Sequence, residues 1–345
     1  MNFYLLSLIK AAVVVGVLML MLLYLQWIER RVIARMQVRL GPNRVGPLGL
    51  LQPIADSLKL LLKEDLIPPG ANKALFVLAP FLAITLSLIS ISVVPFGPQV
   101  TVAGVPTWMQ LADLNVGVIL ILAISSLTVY GVVLAGWASN SKYPLLGALR
   151  ASAQMISYEL PLGLTVAAPL LMSNTLSLRG IVASQAHYYW GFLPAWNVFR
   201  LPFPQVIGAA VFTVAAFAET NRVPFDLPEA ETELVAGFHT EYSSMKFAGF
   251  FMAEYSNMIT ICALGTVLFL GGWLPPFPGL DAVPFVGPLF WFLLKTAVLL
   301  FIFMWVRGTM PRLRYDQLMR FAWSFMFPVA MANLLITALL VAWVG

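Results

Sequence analysis

The sequence predicts an all-α fold, a polytopic bundle of about eight transmembrane helices with an amphipathic interfacial helix after the first span. Two observations carry this prediction. Of the 345 residues, 60% are hydrophobic and only 10% are charged, whereas soluble domains carry about 25% charged residues. The apolar residues gather in runs of about 20, the helix length that crosses a hydrocarbon core of about 30 Å. These observations exclude a soluble enzyme, and the alternating segments of a membrane β-barrel are absent.

The apolar runs are interpreted as the spans of a single integral membrane domain that covers residues 1–345. They lie at about residues 3–28, 74–94, 115–138, 148–172, 204–220, 242–271, 286–307 and 322–343. The first run continues into Glu29-Arg30-Arg31 with no small-residue cleavage site. We therefore expect this run to be a retained anchor and not a removed signal peptide.

The distribution of basic residues predicts the orientation of the chain. The loops that follow spans one, three, five and seven, taken with the adjoining span ends, hold 16 of the 20 Lys and Arg residues. Basic loops stay in the cytoplasm, so we expect these loops on the cytoplasmic side and both termini on the periplasmic side. The same topology accounts for the net charge of +5, which therefore does not indicate a nucleic-acid partner.

Residues that could hold a redox centre are scarce. Cys262 is the single cysteine, and His187 and His239 are the two histidines. One thiol excludes a disulfide within the chain and an iron–sulfur cluster held by this chain alone, and paired intramembrane histidines for a haem are missing. We expect no metal and no cofactor bound by this chain alone, so any redox chemistry belongs to a partner.

The first inner loop, residues 29–73, contains the predicted amphipathic helix. Its polar residues recur at i, i+4, i+7 and i+11 as Gln52, Asp56, Lys59 and Lys63, with leucines on the rest of the helix. The segment is too short and too charged to cross a bilayer, which favours a helix in the interface. Two interpretations stay open: an anchor whose Asp56 meets water or pairs with Lys59, or a cavity wall that is reached from the membrane edge.

The third inner loop, residues 219–241, is unusually acidic for a loop beside the inner leaflet. Its acidic residues are Glu219, Asp226, Glu229, Glu231, Glu233 and Glu241, against a single basic residue, Arg222. Clustered carboxylates repel and desolvate one another, so some of them can exchange protons near neutral pH. The alternative is a solvated acidic loop with no function of its own.

Of the charged residues within predicted spans, Glu159, Glu254 and Lys295 lie furthest from the span ends. An ionisable group at this depth is costly unless it faces a bundle interior or water, which indicates a functional role for the two glutamates. A structural hydrogen bond from Glu159 to Tyr158 or Ser157 is the alternative. Lys295 is interpreted either as a snorkelling side chain or as a counter-ion.

An aromatic face precedes Glu254 on the sixth span. Phe247, Phe250, Phe251 and Glu254 follow one another at i, i+3, i+4 and i+7 and so share a face. Aromatic rings beside a carboxylate suit a flat, apolar headgroup. Plain packing between membrane helices is the alternative interpretation.

In their order and spacing, these segments resemble the NADH dehydrogenase subunit 1 family, which belongs to the proton-translocating type I NADH:quinone oxidoreductases (respiratory complex I). The resemblance covers nearly the whole chain, and its most specific segments are residues 29–65, 218–255 and 307–319. It implies a heel subunit that joins the membrane arm to the soluble redox arm. It also implies a bacterial inner membrane in preference to a mitochondrial one.

The resemblance also implies site residues. The quinone chamber would be lined by Glu29, Arg30, Asp56, Phe251 and Arg307. Proton coupling would involve Asp56, Glu159, Glu219, Glu229, Glu231 and Glu254. The inner loops combine arginines and acids as docking surfaces do, and the predicted docking residues are Arg222, Asp226, Glu233 and Glu241.

The resemblance further implies how the cofactors and partners are distributed. Quinone would be the substrate at the interface, while NADH, FMN and the iron–sulfur clusters would bind to partner subunits. The expected partners are the soluble-arm subunits with the terminal cluster and the quinone-site subunit, and the other membrane-arm and antiporter-like subunits. Three alternatives stay open: the homologous membrane subunit of an energy-converting hydrogenase, a stand-alone ion carrier, and a purely structural anchor.

Overall fold

The computed structural model describes residues 3–102, 104–226, 236–279 and 286–344, and these residues are mostly helical. The prediction of a polytopic helical membrane fold is confirmed. The helices are α1 (Phe3–Met36), α2 (Gln52–Leu62), α3 (Lys73–Ile91), α4 (Gly117–Ala138), α5 (Lys142–Ser173), α6 (Leu178–Ser184), α7 (Val206–Glu219), α8 (Ser244–Phe269), α9 (Val286–Thr309), α10 (Tyr315–Phe321) and α11 (Phe327–Val344). Two antiparallel hairpins join some of them: β1 (Gly97–Val102) with β2 (Val105–Met109), and β3 (Tyr188–Tyr189) with β4 (Leu193–Pro194).

Seven of the described helical segments have the length and composition of membrane spans, and α10 and α11 form one of them with the π-helical turn between them. The span predicted at 204–220 corresponds to α7, which has only 14 residues. At about 1.5 Å per residue, α7 is shorter than the hydrocarbon core is thick. Pro202 and Pro204 precede it, and proline disfavours the helical conformation of the residue before it, so α7 does not extend towards its N-terminus.

The helices alternate in direction, which gives the bundle two distinct ends. We call one the loop end; it comprises the described residues of the segments between α1 and α3, between α4 and α5, between α7 and α8, and between α9 and α10. We call the other the hairpin end; it comprises both β-hairpins and the described residues that follow α8. Glu29 and Arg30 were expected in the first inner loop, but α1 continues to Met36 and contains both residues. Residues 29–40 contain no glycine or proline, so no helix-breaking residue ends α1 at the start of the charged segment.

The helix α8 lies at the centre of the bundle. It packs against α3, α7 and α9, and every residue from Met258 to Phe269 is buried. By contrast, α1 lies at the periphery and is largely exposed. The helix α2 packs against α1 and α8, but leucines on its other face, such as Leu58 and Leu62, are exposed. Exposed leucines on a helix beside a membrane bundle are suited to contact with lipid.

Candidate functional site

The buried side chain of Glu29 is the centre of a charge cluster at the loop end. Leu18, Leu22, Leu25 and Glu29 recur at i, i+4, i+7 and i+11 on α1, and all four are buried. Glu29 Oε1 accepts hydrogen bonds from Arg307 and, at 3.3 Å, from Arg222. The Tyr255 hydroxyl donates to Glu29 Oε2 at 2.8 Å. Three helices and one loop therefore meet at this carboxylate.

Arg222 joins Glu29 to a second carboxylate. Its Nε lies 2.7 Å from Glu254 Oε1, and its guanidinium carbon lies 4.1 Å from the centre of the Tyr255 ring. Burial acts to lower the pKa of Arg222, but the carboxylates of Glu254 and Glu29 outweigh it and raise that pKa above its ordinary value. Arg222 thus stays charged, and with Arg307 it balances the two carboxylates. We call Glu29, Arg222, Glu254, Tyr255 and Arg307 the loop-end cluster.

A second ion pair holds the Arg222 loop in place. Arg312 Nη2 donates to Asp226 Oδ2 at 3.1 Å, and Asp226 is buried. The backbone N–H of Leu313 also donates to the Pro224 carbonyl at 3.1 Å. The segment between α9 and α10 is therefore bound to the segment that follows α7, which fixes Arg222 between Glu29 and Glu254.

Asp56 on α2 faces α1 and not only water. Arg30 Nη1 donates to Asp56 Oδ2 at 2.7 Å, and Gln52 Nε2 donates to Oδ1 at 3.0 Å. The Lys59 amine lies further away, 3.9 Å from Oδ1. Arg30 follows Glu29 on α1. The ion pair between Arg30 and Asp56 therefore extends the charged region of the loop-end cluster to α2.

Phe251 and Glu254 line a cleft that the cluster borders through Glu254. The same cleft is lined by Glu219 and Asn257, so it connects the end of α7 with the middle of α8. The Phe251 ring packs against Phe247, with centroids 4.6 Å apart, and against His239 at 5.8 Å. Burial lowers the pKa of His239 to about 4, so its imidazole is neutral at pH 7.

Two further glutamates that the sequence predicts for proton coupling, Glu219 and Glu159, accept hydrogen bonds from serines of α4. Ser125 Oγ donates to Glu219 Oε1 at 2.6 Å, and Ser126 Oγ donates to Glu159 Oε1. Glu219 is buried, whereas Glu159 is half-buried. The hydroxyl partner of Glu159 is thus on a neighbouring helix, and neither of the predicted local partners, Tyr158 and Ser157, takes that place.

Comparison with known proteins shows the family to which the chain belongs. A family model described as NADH dehydrogenase matches residues 9–338. The chain belongs to this family. Its relatives include an NADH-quinone oxidoreductase subunit of Solibacter usitatus, 58% identical over 99% of this chain and 98% of the relative. The corresponding subunit of Koribacter versatilis is 53% identical, with coverage of 99% and 98%, and that of Rickettsia typhi is 52% identical, with coverage of 96% and 92%.

Membership of the NADH dehydrogenase family confirms the resemblance that the sequence indicated. The chain is a multi-pass membrane subunit of an oxidoreductase complex. Among the residues that the structure describes, no group of three or more His, Cys, Asp or Glu side chains could hold a metal ion.

The structure assigns internal roles to two residues that the sequence predicts for partner docking. Arg222 and Asp226 are both buried, and they pair with side chains of the same chain. The density of charge in this loop suggested exposure, but Arg222 and Asp226 form ion pairs within the chain. Glu241 is half-buried, and docking stays a prediction for it. Glu229, Glu231 and Glu233 lie outside the described residues.

Lys295 on α9 has a structural partner in the backbone. Its amine donates to the carbonyls of Leu270 at 2.6 Å, Gly272 at 3.0 Å and Leu274 at 2.6 Å. It also lies 4.0 Å from the centre of the Trp196 ring. These contacts bind α9 to the segment after α8 at the hairpin end, so they give Lys295 a role that neither sequence interpretation anticipated.

Sequence reasoning missed several polar residues of the site. They are Ser125, Ser126, Tyr255, Asn257 and Arg312. Tyr255 could have been suspected because it is a polar residue next to the intramembrane carboxylate Glu254. Ser125 and Ser126 could have been suspected because they are adjacent serines within a predicted span. Neither pattern names its partner, because the partners lie in other helices.

Proposed function

We propose that this chain forms part of the quinone-binding chamber of an NADH-quinone oxidoreductase and couples quinone reduction to proton translocation through its carboxylates. The observation that carries the proposal is the loop-end cluster, in which Arg222 is shared by Glu29 and Glu254. A buried group shared by two carboxylates transmits a change of charge from one of them to the other. The cleft that Glu254 lines supports an onward path.

The proposed chamber residues are Glu29, Arg30, Asp56, Phe251 and Arg307. The pair of Arg30 and Asp56 joins α1 to α2, and the exposed leucines of α2 support access from the bilayer for a hydrophobic quinone. Phe251 offers an aromatic surface for a planar headgroup. Arg307 supplies positive charge beside Glu29, where a reduced quinone would carry negative charge.

The proposed chemistry needs electrons from a partner and protons from the chamber. A quinone takes up two electrons and two protons to become a quinol, and an iron–sulfur cluster in a partner subunit supplies the electrons. If electrons reach the quinone before the protons do, the negative charge on the quinone attracts Arg222 and Arg307. The attraction of these arginines to Glu29 and Glu254 is then weaker. The proton affinities of these carboxylates then change together, because their charges interact.

The proposed proton path begins at Glu254 and follows the cleft to Glu219, and from there it crosses α4 to Glu159. The cleft is lined by Glu254 and Glu219, and α4 supplies hydroxyl groups to Glu219 and Glu159. Asp56 is proposed to act on the chamber side. Glu229 and Glu231 are proposed as further members of the path on the ground of the family resemblance alone.

The proposed topology places the loop end in the cytoplasm and both termini in the periplasm of a bacterial inner membrane. The basic loops support this orientation. The soluble-arm subunits that hold NADH, FMN and the iron–sulfur clusters would then dock at the loop end, with Glu233 and Glu241 as proposed contacts. Antiporter-like membrane subunits would receive the coupling from Glu159, which is half-buried at membrane depth.

The proposal is tested with Glu159→Gln and Glu254→Gln in the assembled complex. Glutamine keeps the size of glutamate but holds no proton to transfer. We expect proton pumping per NADH oxidised to fall by about 100-fold or more in each variant, since general acid–base groups contribute on this scale. NADH oxidation with a water-soluble electron acceptor, which needs only the soluble arm, is expected to stay unchanged.

Glu64→Gln is the matched control, because Glu64 is an exposed carboxylate of the loop end. It should pump as the unmodified complex does. If both intramembrane variants kept their quinone-linked pumping, the carboxylate path would be wrong. If the purified complex reduced protons to hydrogen and showed no inhibitor-sensitive NADH:quinone activity, the quinone assignment would be wrong as well.

A further inference from the structure

The helix α4 separates two of the proposed proton-carrying glutamates and binds both of them. Ser125 and Ser126 are consecutive, so their side chains leave the helix about 100° apart. Ser125 therefore reaches Glu219 on α7, and Ser126 reaches Glu159 on α5. The two carboxylates are also near enough for the charge of Glu159 to act on Glu219. One serine pair thus connects two acids that come from different helices.

The hydroxyl of Ser126 has two acceptors within reach. One is Glu159 Oε1, and the other is the backbone carbonyl of Leu122, 3.0 Å away. A serine hydroxyl has one proton to donate and lone pairs with which to accept. It can therefore donate to an ionised Glu159, or it can donate to Leu122 and accept a hydrogen bond from a protonated Glu159.

The environment of Glu219 favours a path that leads to this pair. Glu219 Oε2 is buried and has no hydrogen-bond partner among the residues that the structure describes. Glu219 and Asn257 line the cleft that contains Glu254, and both also line a second cleft with Ser125 and Thr260. Polar side chains and an unsatisfied carboxylate oxygen within one cleft suit a bridging water, and such a water would connect Glu254 with Glu219.

We propose that Ser125 and Ser126 are positioning residues of the proton path, and that the Ser126 hydroxyl reorients between Glu159 and Leu122 as Glu159 loses and gains a proton. This inference rests on the proposed function of the carboxylates. Neither serine gains or loses a proton in the cycle. Ser125 holds Glu219 at the cleft, and Ser126 stabilises both protonation states of Glu159, so neither state is left without a partner.

The test uses Ser125→Ala and Ser126→Ala in the whole complex, with Ser125→Thr and Ser126→Thr as variants that keep the hydroxyl. Ser87→Ala is the matched control, because Ser87 is buried and donates only within α3, to Ile84 at 2.8 Å. Alanine is the best helix former, so these changes should leave α4 intact. If Ser126→Ala does not assemble, Ser126→Cys takes its place, since a thiol keeps the shape but donates weakly.

Two readouts separate a positioning role from a merely structural one. We expect the alanine variants to lower proton pumping per NADH oxidised by about tenfold, the scale of one hydrogen bond to a charged group. The infrared carboxyl band that responds to quinone reduction should shift in Ser126→Ala and return in Ser126→Thr.

Two results would overturn the inference, and they are distinguishable from failure of the proposed function. If Ser125→Ala and Ser126→Ala matched Ser87→Ala while Glu159→Gln pumped poorly, the carboxylate path would stand and the serine roles would be wrong. If the threonine variants failed as the alanine variants did, loss of the hydroxyl would not be the cause. If Glu159→Gln also pumped normally, the proposed function itself would fail, and this inference with it.

Discussion

The two ends of the bundle hold buried charges in different ways. At the loop end, Arg222 binds two carboxylates that come from different helices. At the hairpin end, the Lys295 amine binds three backbone carbonyls, and the nearby aromatic contact is Trp196. Backbone carbonyls cannot change their charge, whereas carboxylates can. The depth of a charge in the membrane therefore does not reveal its role; the chemistry of its partner does.

The largest effect that this comparison predicts is for Arg222→Met. The substitution leaves the buried Glu29 and the half-buried Glu254 with less positive charge, and breaking a buried pair costs about 3–5 kcal/mol. We expect a sharp drop in the yield of assembled complex and in its midpoint of thermal unfolding. Arg314→Met is the control, since the Arg314 side chain is 77% exposed, and a surface pair contributes about 0–1 kcal/mol. Equal losses in the two variants would contradict the account.

The next largest effect is expected for Lys295→Met. Methionine fills similar space but leaves three carbonyls without their donor, and hydrogen bonds from a charged group contribute about 1.5–3 kcal/mol. Thermal unfolding of the complex should begin at a lower temperature. Proton pumping per NADH oxidised should be unchanged in the fraction that assembles. A loss of pumping in correctly assembled complex would give Lys295 a role in coupling, and the contrast between the two ends would disappear.

A third predicted effect is confined to acidic pH and concerns His239, which is buried beside Phe251 at the loop end. Burial lowers its pKa from 6.5 to about 4. An unfolded chain therefore binds a proton at His239 between these pH values while the folded chain does not, so the stability contributed by the neutral imidazole is lost as pH falls from about 6.5 to about 4. His239→Gln should flatten the pH dependence of thermal stability in this range. An unchanged slope would contradict a buried neutral imidazole.

Local patterns in the sequence predicted the helices well. The amphipathic segment found from its polar spacing is the helix Gln52–Leu62, and the span expected at 115–138 is Gly117–Ala138. The end of α1 was expected near residue 28, because charge begins at Glu29, but the helix continues to Met36. A charged residue can continue a helix when its side chain finds a partner, and Glu29 finds three.

The contacts of the candidate site could not be derived in the same way. The family resemblance indicated Glu29, Glu254 and Arg307. However, Arg222 lies 193 positions from Glu29 in the sequence, and Tyr255 lies 226 positions from it. Pairing over such distances depends on how the helices pack, which hydrophobic periodicity does not specify. The acidic and basic residues of the Arg222 loop therefore suggested an exposed surface, although the described part of that loop is held inside by ion pairs.

We expect the loop-end charges to take part in coupling, whereas the hairpin-end charges hold the structure. The decisive experiment measures the protons moved per NADH oxidised for Glu254→Gln and Lys295→Met complexes in the same vesicle preparation. We expect a fall of about 100-fold for Glu254→Gln and the unmodified ratio for Lys295→Met. Equal ratios in the two variants, or a larger loss in Lys295→Met, would contradict this expectation.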